Sequence, residues 1–421
     1  MTDPRTSYLI LTADAGFGHR SAANAIEAAL KEQGVAQSDI CMLNLLDNKN
    51  TPAALRESQN DYDRIVREAP NLYQAAYTAS EQNIPNFIFS SSMTASFYRA
   101  AREAIKEFQP SVIISTYPLY QHALMMLRMV ERMMTPVICV VTDLATVHRI
   151  WFVDGVDALV VPTPAVRDLA IGYGVPSDRI HEFGIPVNPA LTHPPKSVAA
   201  LRRSLGWDPD LFTLFAVGSK RVQRLPEMLR GLNHSGLPVQ LVISAGKDEE
   251  LYKTLQSIEW HAPAHIYEFV EDMPSFLHAA DCVMAKAGGL IVTESLAAGK
   301  PLILTELIPG QEEGNAKFVT DNGAGMLAEN PLDVLEMVYH WRMNNSSMLR
   351  ASAERAQMAG KPDAALRVAQ LAMQYVAQKN IAKSEADLTW EGADQGVGRI
   401  GLVRPQLRAF LQRVGLVSAE S

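Results

Sequence analysis

Short apolar runs alternate along this chain with stretches in which apolar residues recur every three or four positions. "SYLILTA" at residues 7–13 predicts a strand, and "RSAANAIEAALKEQG" at 20–34 predicts a helix that starts near Ser21 and ends near Gly34. "DICMLNLLD" (39–47), "SVIISTY" (111–117), "PVICVVTD" (136–143), "ALVVPT" (158–163) and "IHEFGI" (180–185) predict five more strands, with a helix over "QHALMMLRMVERM" (121–133). Runs apolar throughout suit strands covered on both faces, as in a parallel sheet. Their alternation with helices implies right-handed βαβ units.

The pattern breaks at "GIPVNPALTHPPKS" (184–197), which has four prolines and little periodicity and is read as a linker over residues 186–198. It then restarts with "LFTLFAVGS" (211–219), "VQLVISAG" (239–246), "HIYEFV" (265–270), "CVMAKAG" (282–288) and "PLILTE" (301–306). Two α/β domains in tandem are expected, 1–190 and 198–380, followed by a tail, 381–421. Loops at the carboxyl ends of both sheets would face a common cleft, a natural ligand site.

Two segments stand apart. "NLYQAAYTASEQNIPNFIFSSSMTASFYRAAREAIKEF" (71–108) is helical in pattern and rich in Tyr, Phe and Ile, which suits either helices packed on the sheet or an apolar surface that admits lipid. "VGRIGLVRPQLRAFLQRVGLV" (397–417) places Leu407, Phe410, Leu411 and Val414 on one helical face beside Arg404 and Arg408, with Arg399 and Arg413 nearby. It suits an anionic membrane surface or a helix docked on the protein's own body.

Composition narrows the class. A chain of 421 residues exceeds one ordinary core, and 48% hydrophobic with 20% charged residues is typical of soluble globular proteins. The net charge of −8 argues against general affinity for nucleic acid. Cys41, Cys139 and Cys282 are scattered without metal-ligand spacing, as expected of free thiols in a reducing compartment. "MTDPRTS" is polar and no signal-peptide core follows it. No run reaches the roughly 18 apolar residues of a membrane span, so membrane contact would be at the surface.

Two glycine corners carry the candidate chemistry. In "ADAGFGHRSA" (13–22), Gly16 and Gly18 allow close backbone approach, and a following helix would aim free N–H groups at the same spot. A dinucleotide fingerprint is disfavoured: Ser21 stands where its third glycine would be, and His19 lies inside the loop, although Asp47 mimics a ribose-binding acid. Either Asp14 or His19 is suited to take a proton from a hydroxyl while the other orients it; both equally suit purely structural roles. The second corner is "MAKAGGLIVTESLAAGKPLILTELIPGQEEGNAKFV" (284–319). There Gly288 and Gly289 open a helix carrying Thr293 and Glu294, and a later loop holds Gln311, Glu312, Glu313 and Asn315. A helix N-terminus for a diphosphate, an acid for ribose hydroxyls and an amide–acid pair for a hexose together suggest a nucleotide-sugar site.

This second corner resembles the donor-site signature of the MurG-like glycosyltransferases, and is most similar to the monogalactosyldiacylglycerol synthase and processive diacylglycerol glucosyltransferase branch. Segments resembling that branch, in the same order, are "ADAGFGHRSAANAI", "IISTYPLYQH" (113–122), "VVTDLATVHRIWF" (140–152) and "GIPVNPAL" (184–191), covering most of residues 7–320. The resemblance implies a GT-B fold of two Rossmann-like domains. It also implies metal-independent, inverting transfer of a hexose from UDP-galactose or UDP-glucose to diacylglycerol, by a cytoplasmic enzyme peripheral on the inner face of the membrane. The UDP-sugar is a substrate, so no cofactor is expected, and "DYD" (61–63) is read as solvated helix face rather than a metal site.

Carried over residue by residue, Asp14 or His19 is the general base and Gly18 lies near the diphosphate. Gly288 and Gly289 are the donor-loop glycines, and Glu294 is the ribose-binding acid. Gln311 and Glu312 read the hexose with Asn315 in support, and His122 and Asp143 line the cleft edge. Phe17 departs from the family by replacing a glycine, which places an apolar side chain toward the acceptor. "AVGSKRVQR" (216–224) replaces a glycine-rich run; Ser219 joins the donor side, and Lys220 or Arg221 would neutralise the diphosphate. The alternatives are a same-fold transferase using another lipid acceptor, and a nucleotide-sugar-binding protein without turnover.

Overall fold

The structure is a computed structural model describing residues 8–14, 17–53, 56, 83–195, 197–220, 222, 224–308 and 312–390. The first half builds a six-stranded parallel sheet in the order β2-β1-β3-β4-β5-β6. Its strands are β1 (Tyr8–Thr12), β2 (Ile40–Asn44), β3 (Val112–Ser115), β4 (Val137–Val140), β5 (Ala158–Val161) and β6 (Ile180–Glu182). Its helices are α1 (Phe17–Glu32), α2 (Asn83–Phe108), α3 (Gln121–Glu131) and α4 (Pro164–Gly172). The second half repeats the plan in the order β12-β11-β10-β7-β8-β9, again all parallel. Its strands are β7 (Phe212–Val217), β8 (Val239–Ser244), β9 (Ala264–Tyr267), β10 (Cys282–Ala285), β11 (Leu302–Leu304) and β12 (Gly325–Leu327). Helices α5 (Val198–Ser204), α6 (Leu225–Asn233), α7 (Glu249–Ser257), α8 (Met273–Ala279), α9 (Gly289–Ala297), α10 (Glu313–Asp321), α11 (Pro331–Ala359) and α12 (Ala364–Trp390) accompany them among the described residues. Every residue of β1, β3, β4, β5, β8, β10 and β11 is buried, as expected of strands covered on both faces.

In each sheet the strand order reverses once, between β1 and β3 and between β7 and β10. Loops leaving neighbouring strands there diverge to opposite faces and open a crevice at the carboxyl edge. The two glycine corners lie at these points, one following β1 and the other following β10.

Several details differ from the pattern-based expectation. Helix α1 begins at Phe17 rather than near Ser21, so Gly18 and His19 belong to its first turn. The second strand stops at Asn44, and Asp47 sits in a short helical turn, Leu45–Asp47, where it accepts from Asn44 Nδ2 at 2.8 Å. β12 was not anticipated, because three residues beginning with glycine give little periodicity. The presumed linker is packed: Val187 and Leu191 are buried in the second domain's core, and Pro189–Thr192 form a helical turn.

Helix α12, expected in the second domain by residue number, crosses back to the first. Ala365, Val368, Ala369, Leu371, Ala372 and Val376 share a buried cluster with Tyr8, Ile10, Ala23, Ile26 and Val112, and Tyr375 donates to the Asp157 carbonyl at 2.9 Å. The small side chains of Ala22, Ala23, Ala25 and Ala29 let α1 pack on several neighbours: Ala23 and Ile26 face the first sheet and α12, while Ala22 joins the second domain's cluster with Val292 and Leu296. Each large apolar side chain buried under α12 contributes roughly 1.5–3 kcal/mol. The basic amphipathic stretch at 397–417 and the acid pair at 61–63 lie outside the described residues.

Placing an unpaired charge under α12 tests this crossing. Ala372→Asp is expected to cost about 3 kcal/mol or more, and hydrogen exchange should show the loss of protection in β1 and α1, in the other half of the sequence.

Candidate functional site

On the first-domain side, His19 stands in the opening turn of α1, above the β1/β3 switch point. Its Nδ1 lies 2.9 Å from the Thr116 carbonyl oxygen and 2.7 Å from Thr142 Oγ1. A carbonyl can only accept, so the Thr116 contact requires the proton on Nδ1 and leaves Nε2 as the basic nitrogen. Thr116 follows β3 and is itself tied to the loop through Thr116 Oγ1 donating to the His19 carbonyl at 3.1 Å. The ring is walled by Tyr117, edge-on at 5.0 Å between centroids, and by Trp151 at 6.0 Å. Burial pushes the imidazole pKa down to about 4, against the Thr116 carbonyl, which favours the charged form. His19 is therefore neutral at pH 7.

Asp14 is committed differently. Its two carboxylate oxygens receive Arg20 Nε at 2.8 Å and Nη2 at 2.9 Å, and Asn44 Nδ2 donates at 3.2 Å. The Arg20 guanidinium holds this carboxyl below the ordinary carboxylate range, assisted by Asn44. Such a forked pair fixes the turn and makes Asp14 a poor proton acceptor. Asp143 receives Trp151 Nε1 at 2.7 Å, and burial raises its pKa to about 6 against that bond. Asp143 thus orients a ring that lines the His19 site. His122, on α3, has its Nδ1 buried without a hydrogen-bond partner among the described residues, and burial lowers its pKa.

On the second-domain side, β10 ends at Ala285 and α9 begins at Gly289 with Gly288 as its N-cap. The chain doubles back between them, with Gly288 N–H donating to the Lys286 carbonyl at 2.8 Å. Glu294 is 7% exposed, and desolvation pushes its pKa up to about 8. Glu312 is also buried: it pairs with Lys286 Nζ and accepts from Ile308 N–H at 3.0 Å. Asn315 Nδ2 donates to the Ala287 carbonyl at 2.9 Å, anchoring α10 to the glycine corner. Ser219 lies in the loop after β7 and Lys220 is exposed beside it. Gln311, Arg221 and Gly16 are outside the described residues, as is the side chain of Phe17.

The two halves meet at glycines. A Cβ on Gly289 would lie 3.9 Å from the Thr142 carbonyl oxygen and 3.8 Å from Asn315 Nδ2. One on Gly314 would collide with Thr146 Oγ1 and come within 3.1 Å of the Ala145 Cβ. The loop after β4 that supplies Thr142 to His19 is thus the loop on which the donor-side helices rest. Sequence reasoning found the two corners but missed Arg20, Thr116, Thr142, Trp151 and Lys286. Lys286 stands two residues before Gly288 in "AKAGG", which was its only signal. Thr116 follows β3, whereas Thr142 and Trp151 belong to the connection after β4, and no periodic spacing marks the three as neighbours of His19.

Comparison with known proteins agrees with this geometry. The family described as monogalactosyldiacylglycerol (MGDG) synthase matches residues 19–187, and the glycosyltransferase family 28 C-terminal domain matches residues 213–368. A probable chloroplastic monogalactosyldiacylglycerol synthase of Glycine max is 30% identical over 385 residues, covering 88% of this chain and 72% of that protein. Monogalactosyldiacylglycerol synthase 3 of Arabidopsis thaliana is 30% identical over 366 residues, covering 85% and 78%. Among solved structures, MurG of Acinetobacter baumannii superposes with a TM-score of 0.56 at 18% identity, covering 88% of this chain and 100% of that one. MnaA of Staphylococcus aureus with UDP gives 0.56 at 14% identity, covering 86% and 94%. The fold is GT-B.

The displaced pKa values of His19 and Glu294 act oppositely on stability. Between pH 6.5 and about 4 the unfolded chain takes up a proton that buried His19 refuses, so stability falls as pH falls. His19→Gln is expected to flatten that decline. Between pH 4.5 and about 8 native Glu294 keeps a proton the unfolded chain has lost, so stability falls as pH rises. Glu294→Gln should melt higher than the parent at pH 8, by an amount that vanishes near pH 4 in thermal unfolding scans.

Proposed function

The chain belongs to the monogalactosyldiacylglycerol synthase family of glycosyltransferases, and on that premise we propose that it transfers a hexose from a UDP-sugar to the free hydroxyl of diacylglycerol with inversion. The observation that carries this reading is the shared loop after β4: Thr142 touches the neutral imidazole of His19, and its carbonyl lies against Gly289 of the donor-type corner.

In this reading His19 Nε2 takes the proton of the acceptor hydroxyl, and Asp14 braces the turn through Arg20 rather than acting as the base. An anionic donor beside the ring favours the imidazolium, which raises the His19 pKa from about 4 and with it the proton affinity the reaction needs. The hydroxyl oxygen attacks the anomeric carbon from the face opposite the diphosphate. The bond between that carbon and the phosphate oxygen breaks, its electron pair leaves with UDP, and an α-linked donor gives a β-glycoside. The N-terminus of α9 stabilises the charge that gathers on the leaving diphosphate. Glu294, kept protonated by burial, meets the ribose hydroxyls as a neutral acid that both donates and accepts. Glu312 and Asn315 serve the hexose, with Gln311 from the same loop. No step calls on a cofactor or a metal.

The acceptor requires a membrane surface. Among the described residues no helix is long and apolar enough to cross a membrane. At the end of α3, Met129, Val130 and Met134 are exposed, Met134 to 83%, beside exposed Arg132. An apolar group next to a cation suits a peripheral contact with anionic lipid.

His19→Ala should lower kcat by on the order of a hundredfold or more, and Asp14→Asn by less; equal losses would move the base to Asp14. Incubating the protein with diacylglycerol vesicles and labelled UDP-galactose or UDP-glucose, then identifying the glycolipid, tests donor and acceptor together. Sugar transfer to a different lipid would replace the acceptor, and UDP-sugar binding with no transfer would favour a binding protein. Met134→Asp should weaken sedimentation with anionic vesicles several-fold while leaving UDP binding unchanged.

A further inference from the structure

The ion pair between Lys286 and Glu312 stands where the donor should lie. Lys286 Nζ is 2.8 Å, and Glu312 Oε1 3.6 Å, from the point a Cβ on Gly288 would occupy, so the pair sits over the α-carbon of the α9 N-cap. The tight turn from Lys286 to Gly288 folds the lysine back over that helix end. The Glu312 side chain is 7% exposed and the Lys286 side chain 17%. One oxygen of Glu312 is held by Lys286 and the other by Ile308 N–H. In this arrangement the carboxylate assigned to the hexose is already occupied by the chain itself.

We propose that Lys286 is the diphosphate-binding cation of this cleft and that Glu312 holds it in reserve, so that the donor's diphosphate and hexose are bound through one exchange of ion-pair partners. This deepens the UDP-sugar reading and rests on it. A diphosphate carries more charge than one carboxylate and is also met by the free amides at the start of α9, so it draws the ammonium away from Glu312. Glu312 is then a buried carboxylate without its cation, an arrangement that is costly unless new donors arrive. The hydroxyls of an attached hexose are such donors. UDP-hexose therefore satisfies both ends of the opened pair, whereas UDP alone satisfies one. Once the sugar has moved to the acceptor, unpaired Glu312 draws Lys286 back and promotes release of UDP.

Calorimetric titration of the full chain with UDP and with UMP tests this. Lys286→Gln should weaken UDP binding by about tenfold or more while changing UMP binding less than about threefold. Glu312→Gln should tighten UDP by roughly three- to tenfold, because nothing then competes for Lys286, while hexose transfer falls. Should Lys286→Gln fail to fold, the Lys286→Gln/Glu312→Gln double variant, which leaves no unpaired carboxylate, should bind UDP about tenfold more weakly than Glu312→Gln alone. Unchanged UDP affinity in Lys286→Gln, or no gain in Glu312→Gln, overturns the exchange while leaving UDP-sugar use intact. A parent protein that binds no UDP overturns both.

Discussion

The close approach of the second domain's glycine corner to the loop after β4 is the constraint on which this molecule depends. A side chain at Gly314 would collide with Thr146 and hold that loop away, and with it Thr142, one of the two oxygens that set the imidazole of His19. The first domain supplies a neutral imidazole and the second a helix N-terminus with buried acids, and the close backbone approach at the glycines sets their spacing. Helix α12 reinforces this by running from the second domain onto the first sheet, where its alanines and valines join the core around β1 and α1. The strand and helix that carry the candidate base are thereby packed against residues 365–376 of α12.

Several groups in the cleft are held away from their ordinary protonation by burial. His19 is deprived of its charge, and Glu294 and Asp143 are pushed toward their neutral forms. These displacements weaken the fold at one pH or another, and a core built for stability alone would avoid them. They suit the proposed handling of hydroxyl groups, since a neutral imidazole accepts a proton and a neutral acid both donates and accepts. Glu312 reaches the opposite solution, staying buried by means of its own lysine. The cleft thus holds one acid by desolvating it into its neutral form and another beside a lysine, two ways of keeping a carboxyl group where water is scarce.

Much of the architecture was legible because parallel strands buried on both faces leave an unbroken apolar signature. All six strands of the first sheet and five of the second were predicted from it. β12 escaped because three residues starting with glycine carry no period. Gly288, Gly289, Glu294 and Asn315 were legible because they fall within one short strand–turn–helix unit and the loop that follows. Helix α1 was placed four residues late: glycines and a histidine suggest a loop, and the capacity of "FGHR" to begin a helix depends on what the turn packs against. The Asp14–His19 pair was singled out by its spacing and given its role by the family resemblance, and the structure gives each residue a different set of partners.

The sequence by itself determined that two α/β units follow one another, that each turns a glycine corner at its sheet edge, and that acids and a histidine lie at those corners. These are properties of residue type and local period, and local patterning encodes them directly. Only the tertiary structure decided that His19 carries its proton on Nδ1, that Asp14 belongs to Arg20, that Lys286 lies on Glu312, and that α12 completes the first domain rather than the second. Three of those four follow from contacts between segments 20 or more residues apart. Charge, tautomer and reach depend on distance in space, and the order of residues along a chain does not state which distant segments are brought together.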